Sequence, residues 1–128
     1  PQEEYRISST WGEGNASSSA IGYTIIETIQ KESLLDNATR LGDYFLGQLR
    51  GLQKKYPSIL EVRGIGLMDA VEIDSRERRD QIIRNAFKRG LLLLGCGYKV
   101  IRFLPPLDVR RREIDLALEI LENALKES

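Results

Sequence analysis

The sequence contains no histidine and a single cysteine in its 128 residues. Without histidine, the chain cannot build a zinc site of the Cys/His kind or a Ser-His-Asp triad. One cysteine, Cys96, excludes an internal disulfide and fits a reducing, cytoplasmic setting. We therefore expect no metal site, no disulfide framework and no histidine-dependent catalysis within this chain.

The sequence also lacks an excess of charge of either sign and a long apolar run. Lys+Arg and Asp+Glu number 19 each, so no net charge attracts nucleic acid or an anionic membrane. The apolar stretch at residues 91–94 is far shorter than the roughly 20 residues that a membrane helix needs. The basic run at residues 110–112 is more typical of a solvated helix start than of a nucleic-acid site. We expect neither nucleic acid nor a membrane as a partner.

What is present is typical of one globular domain. The chain is 41% hydrophobic and 30% charged, and its length suits a single domain. Residues 1–18 have no apolar periodicity and are rich in glycine and serine, which predicts a loop preceding a domain at residues 19–128. We expect Ser17 or Ser18 to cap a first helix that is mostly buried.

Apolar residues recur every three or four positions in two further segments, which predicts two amphipathic helices. Ser33 is placed to cap the earlier helix and Asp108 the later one, while Ser75 and Gly90 are placed to start and end a helix between them. The two apolar stripes are Leu34, Ala38, Leu41, Phe45, Leu49 and Leu52, and Ile114, Ala117, Leu118, Leu121, Ala124 and Leu125.

Short strands are predicted between these helices. Two lie around Gly64 and Gly66, with Asp69 and Glu72 interrupting the apolar alternation of the second. A third is expected at residues 91–94, before a turn at 95–97, and a fourth at residues 100–103. This order predicts an α/β (α+β-like) fold in which helices cover one face of a small, mainly antiparallel sheet.

Three blocks in this order resemble one known family. They are Ser-Thr-Trp-Gly-Glu-Gly-Asn at residues 9–15, Val-Arg-Gly-Ile-Gly-Leu-Met at residues 62–68, and the segment at residues 89–115 that contains Ile-Arg-Phe-Leu-Pro-Pro-Leu. Together they resemble class III (subgroup III) pyridoxal-phosphate-dependent aminotransferases of the 4-aminobutyrate/acetylornithine type. The first block departs from the family pattern by one extra residue before Asn15 and by Ala16 in place of proline.

The resemblance implies the C-terminal small domain of a type I pyridoxal-phosphate enzyme, separated from the large domain that carries the catalytic lysine. The parent enzyme would move an amino group from an amino acid or ω-amine, such as 4-aminobutyrate, acetylornithine, ornithine or lysine, to a 2-oxo acid. Its partners would be the large domain and the second subunit of a homodimer. The isolated chain would be inactive and would not hold pyridoxal 5'-phosphate.

The same resemblance implies three site residues. Arg102 would bind a substrate carboxylate through its planar fork of donors, or would pair with an acidic gate residue of the large domain. Thr10, with Ser9 beside it, would hold the cofactor phosphate of the neighbouring subunit. The residue pattern alone favours a structural ion pair for Arg102 and a loop or capping role for Thr10. No catalytic residue is expected in the chain, because its lysines lie in polar or helix-end contexts.

Two alternatives remain open at this level. Some relatives in the family racemise amino acids instead of transferring the amino group. The balanced charge and complete apolar stripes also suit a free-standing, non-catalytic α/β module that binds a ligand or another protein.

Overall fold

The computed structural model describes residues 14–128, which fall into two compact units divided between Ser33 and Leu34. In the first unit, helix α1 spans Ala16–Lys31, and Oδ1 of Asn15 caps it by accepting from the Ser18 backbone N–H at 3.1 Å. The predicted caps Ser17 and Ser18 are therefore wrong, because the helix already begins at Ala16. Residues 16–18 of the predicted loop are helical, while the boundary of the domain itself stays a prediction.

Helix α1 is not the mostly buried helix that we expected. None of its residues is buried, and Ile21, Tyr23 and Ile26 are each at least 60% exposed. The apolar residues of α1 are distributed around the helix and do not form one stripe. Packing of another element against one side of the helix would therefore leave several of them in contact with water. Apolar composition therefore did not determine burial here.

The second unit contains the sheet. Its elements are α2 (Leu34–Lys55), β1 (Ile59–Ile65), β2 (Met68–Ile73), α3 (Arg76–Lys88), β3 (Leu94–Cys96), β4 (Val100–Phe103) and α4 (Arg111–Lys126). The strands lie in the order β1-β2-β4-β3, and every neighbouring pair is antiparallel. Helices α2 and α3 pack on the sheet, and α4 packs on both helices. The predicted fold class, a small antiparallel sheet with helices on one face, is confirmed.

The core lies between the sheet and these three helices. Phe45 of α2 meets Phe103 of β4 edge to face, with ring centroids 5.3 Å apart. Such aromatic pairs stabilise a core beyond the area that they bury. Both predicted helical stripes contribute to this core, together with Ile82 of α3 and alternate residues of the strands: Leu41, Leu49, Val62, Val71, Ile73, Ile101, Ile114, Leu121 and Leu125.

Two of the other predicted helix boundaries hold, and two do not. Ser75 caps α3 through its hydroxyl, and Gly90 follows that helix with φ at 87°. Ser33 has φ at 51°, which is not the extended geometry of an N-cap. The last helix is capped at Arg110, whose N–H donates to Oε2 of Glu113 at 2.7 Å, so the cap predicted at Asp108 is wrong.

The third strand lies later than predicted. The Leu91 N–H donates to the Ala86 carbonyl, which holds the start of the leucine run at the end of α3. Only Leu94–Cys96 pair with β4, and the turn follows at residues 97–99. Among the described residues, no helix has the length and apolarity needed to cross a membrane.

Candidate functional site

Arg102 lies in a row of residues that crosses the sheet. The strand register places Arg63 opposite Ala70, Ala70 opposite Arg102, and Arg102 opposite Leu94. Successive residues of a strand point to opposite faces, and the neighbouring Ile101 and Phe103 are buried in the core. This row therefore lies on the face opposite helices α2, α3 and α4, which we call the Arg102 face.

Arg102 is the half-buried cation on this face that is left without a partner. Its Nε is buried and makes no hydrogen bond, and in the described part of the chain Arg102 forms no ion pair. The other arginine of the row, Arg63, lies 3.1 Å from Glu61 and 3.5 Å from Glu72. A half-buried guanidinium that forms no ion pair is suited to an anionic ligand such as a carboxylate.

A hollow of about 380 Å³ adjoins Arg102. Its charged lining residues are Arg102 and Glu113, and a carboxylate oxygen of Glu113 is already engaged at the start of α4. The rest of the lining is apolar: Phe45, Leu91, Leu92, Leu93, Leu94, Phe103, Leu104, Pro105, Pro106, Val109, Ile114 and Ala117. The stiff Pro105-Pro106 corner limits the conformations of the chain that follows β4. Because α2 and α4 contribute to this lining, the hollow extends to the covered side of the sheet, and Arg102 lines it together with apolar walls.

The described residues do not by themselves form a site for pyridoxal phosphate. Ser9 and Thr10, predicted to hold the cofactor phosphate, lie outside the described residues. None of the six lysines, all within the described range, is buried, and the half-buried Lys99 lies 3.8 Å from Glu72. A lysine that forms an imine needs a desolvated pocket. In residues 14–128 there is also no cluster of ligands for a metal ion.

Sequence reasoning missed the environment of Asp69. This residue of β2 is 1% exposed, and neither of its carboxylate oxygens has a hydrogen-bond partner. Burial raises the pKa of Asp69 from 3.8 to about 6. The carboxylate occupies the space beside Gly64, where a Cβ would lie 1.9 Å from Oδ1. The interrupted alternation of β2 was the one signal in the sequence, and it did not show that the polar residue faces the core.

Comparisons with known proteins give a consistent result. The family described as aminotransferase class-III matches residues 3–125. An acetylornithine aminotransferase of Caldanaerobacter subterraneus subsp. tengcongensis is 40% identical over 93% of this chain and 30% of its own length. An L-lysine-epsilon aminotransferase of Amycolatopsis lactamdurans is 38% identical over 94% of this chain and 27% of its own length.

Solved structures agree with these relatives. A lysine aminotransferase from M. tuberculosis superposes with a TM-score of 0.88 at 35% identity, covering 98% of this chain and 29% of that one. The chain therefore spans less than a third of the length of the relatives that it matches.

Proposed function

The chain belongs to the class-III aminotransferases, which depend on pyridoxal phosphate, and on that premise we propose that it is the C-terminal small domain of an aminotransferase. The enzyme would move an amino group from an amino acid or ω-amine to a 2-oxo acid. The observation that carries the proposal is Arg102, an unpaired, half-buried arginine within a segment that matches the family over residues 3–125. The described residues lack a buried lysine, so the cofactor chemistry belongs to another part of the enzyme.

In this proposal Arg102 binds and orients the substrate carboxylate. Its place on a strand between two core residues limits its rotamers, so the fork is pre-organised before the substrate arrives. The apolar walls of the adjoining hollow exclude water and strengthen the charge-assisted hydrogen bonds. The relatives reported above are named for acetylornithine and L-lysine, which supports an amino donor that carries a carboxylate. The use of 4-aminobutyrate stays a prediction.

The partners are part of the same proposal. They are a large domain that carries the catalytic lysine and the second subunit of a homodimer, whose cofactor phosphate Thr10 and Ser9 would contact. The length of the relatives, more than three times the matched segment, supports a further domain. A cytoplasmic location stays a prediction that rests on the lone cysteine.

The test is a pair of donors applied to the full-length enzyme. L-lysine carries a carboxylate, and 1,5-diaminopentane is the same molecule without it. Arg102→Ala should lower kcat/KM for lysine by roughly one to several powers of ten, because a charge-assisted hydrogen bond contributes about 1.5–3 kcal/mol. The constants for diaminopentane should stay nearly unchanged. Arg102→Lys should restore little, since an ammonium cannot reproduce the planar fork.

Controls make the outcome decisive. Arg84→Ala removes an exposed arginine of α3 and should leave the kinetic constants for both donors unchanged. The 128-residue chain alone should show no transaminase activity. Equal losses for both donors would make Arg102 a structural residue, and unchanged constants would remove it from the site.

A further inference from the structure

We propose that Arg79 is a positioning residue that holds strand β3 in the sheet and thereby keeps the flank of Arg102 in place for carboxylate binding. The inference rests on the role of Arg102 given under the proposed function. It starts from a second arginine, on α3, whose side chain is buried although no substrate site includes it.

Arg79 joins α3 to the turn between β3 and β4. The residue is 7% exposed, and its Nη1 donates to the Gly97 carbonyl at 3.3 Å. Its Nε lies 2.7 Å from Oδ1 of Asp80, an ion-pair contact that lacks hydrogen-bond alignment. Burying an arginine costs free energy of desolvation unless its charge is matched, so an apolar side chain would fill this space at a lower cost in stability. A buried guanidinium that reaches across to a turn carbonyl indicates a positional task.

Gly95 of β3 makes room for this guanidinium. A Cβ at position 95 would lie 2.8 Å from Nη1 of Arg79 and 3.2 Å from its Cζ. Any side chain there would push the guanidinium away from Gly97. The hydrogen bond from Arg79 to the Gly97 carbonyl therefore depends on Arg79 and on Gly95, and substitution of either residue should break it.

Strand β3 has little else to hold it. It is an edge strand of three residues, and Gly95, opposite the fully buried Ile101, brings no side chain to the core. Short edge strands with few apolar contacts open easily. Besides the ladder to β4, α3 lies beside Gly95, where the side chains of Arg79 and Ile83 are nearest to the position that a Cβ would occupy.

The position of β3 matters for Arg102 because Leu94 of β3 lies directly opposite Arg102 on β4. Directly opposed residues of an antiparallel pair have Cβ atoms about 5 Å apart, so Leu94 limits the rotamers of Arg102. Leu94 also lines the hollow beside Arg102. If β3 opens, Arg102 keeps its charge but loses this wall. The expected result is weaker carboxylate binding with an unchanged chemical step.

The first experiment measures hydrogen exchange in the 128-residue chain by NMR. Arg79→Met keeps the apolar volume and removes the fork, and Gly95→Ala displaces the fork while keeping Arg79. Both variants should speed exchange of the amides that are hydrogen-bonded between β3 and β4 by about tenfold, the effect of losing one charge-assisted hydrogen bond. Arg84→Met, the matched exposed arginine of α3, should leave those amides unchanged. Exchange that stays the same in both test variants would overturn the proposal.

The second experiment uses the full-length enzyme and the same two donors. Arg79→Met should raise KM for L-lysine by about tenfold and leave kcat within about twofold, since the weakened carboxylate contact is made equally in the bound substrate and in the transition state. The kinetic constants for diaminopentane should be unchanged by Arg79→Met and by Gly95→Ala. Equal losses for both donors would show that Arg79 is merely structural.

The two proposals can fail separately. If Arg102→Ala distinguishes the donors and Arg79→Met does not, only the positioning role is overturned. If Arg102→Ala does not distinguish them, the proposed function fails and the carboxylate-binding role of Arg79 fails with it.

Discussion

The two faces of the sheet carry different chemistry on the same strands. On the face covered by α2 and α3, β4 presents Ile101 and Phe103, which are at most 6% exposed. On the Arg102 face, the residue between them is a half-buried arginine. Because side chains alternate along a strand, one backbone segment can support a core on one face and present a cation on the other. Burial of Ile101 and Phe103 fixes the position of β4, and the position of β4 in turn fixes the direction of the Arg102 side chain.

Each face also carries an unmatched polar group, with opposite consequences. Asp69 is enclosed in the core, so its ionised form has no partner and no route to solvent. The Nε of Arg102 is buried and unmatched as well, but Arg102 as a whole is half-buried and its side chain adjoins an open hollow. An enclosed charge lowers stability, whereas a charge beside a cavity can be satisfied on binding.

The largest effect should come from emptying the covered face. Ile101 is fully buried, so Ile101→Ala should lower the free energy of unfolding by about 2–5 kcal/mol through lost burial and the cavity that remains. The neighbouring Val100→Ala, on the Arg102 face, should cost about 1 kcal/mol or less. Urea unfolding followed by circular dichroism measures both. Equal losses at the two positions would break the distinction between the faces.

The next effect concerns Asp69 and pH. Because the pKa rises from 3.8 to about 6 on folding, the folded chain holds its proton more tightly across that window. The contribution of Asp69 to stability is therefore fully present below the lower value and is lost as the pH rises through the upper one. Asp69→Asn should remove this loss and stabilise the chain above the window by up to about 3 kcal/mol.

The measurement is the difference in unfolding free energy between Asp69→Asn and the parent chain, followed from about pH 4 to about pH 8. The difference should grow with pH and then level off. Asp43→Asn, which changes an exposed carboxylate on α2, serves as the control. A flat difference for Asp69→Asn would mean that its carboxylate is solvated in the folded chain.

The smallest of the three effects compares two glycines of α2. Gly42 faces the turn between β1 and β2, and a Cβ there would lie 2.0 Å from the Gly66 carbonyl oxygen. Gly42→Ala should therefore destabilise the chain by about 1–3 kcal/mol through overpacking. Nothing lies within 4 Å of a Cβ at Gly47, so Gly47→Ala should stabilise α2 by about 0.5–1 kcal/mol. Gly42→Ala should lower the melting temperature and Gly47→Ala should raise it. Shifts in the same direction would contradict the close approach of Gly42 to Gly66.

The sequence alone determined the fold class, the helices with a single apolar stripe and the family. The stripes of α2 and α4 repeat at helical spacing, and period and phase are local properties that can be identified without a structure. The cap at Ser75 and the stop at Gly90 are local in the same sense. The motif predicts a substrate-binding role for Arg102, and this role stays a prediction; the motif did not show that its Nε is unmatched.

Only the tertiary structure decided which polar residues are enclosed and which residues of separate elements contact one another. The burial of Asp69 depends on which face of β2 meets α2 and α3, and a shift of one residue in register would reverse it. The contact between Arg79 and Gly97 joins residues on separate elements, and so does the approach of Gly42 to Gly66. Local pattern determines what each segment can form, whereas burial and contact depend on what packs against it, which no single segment encodes.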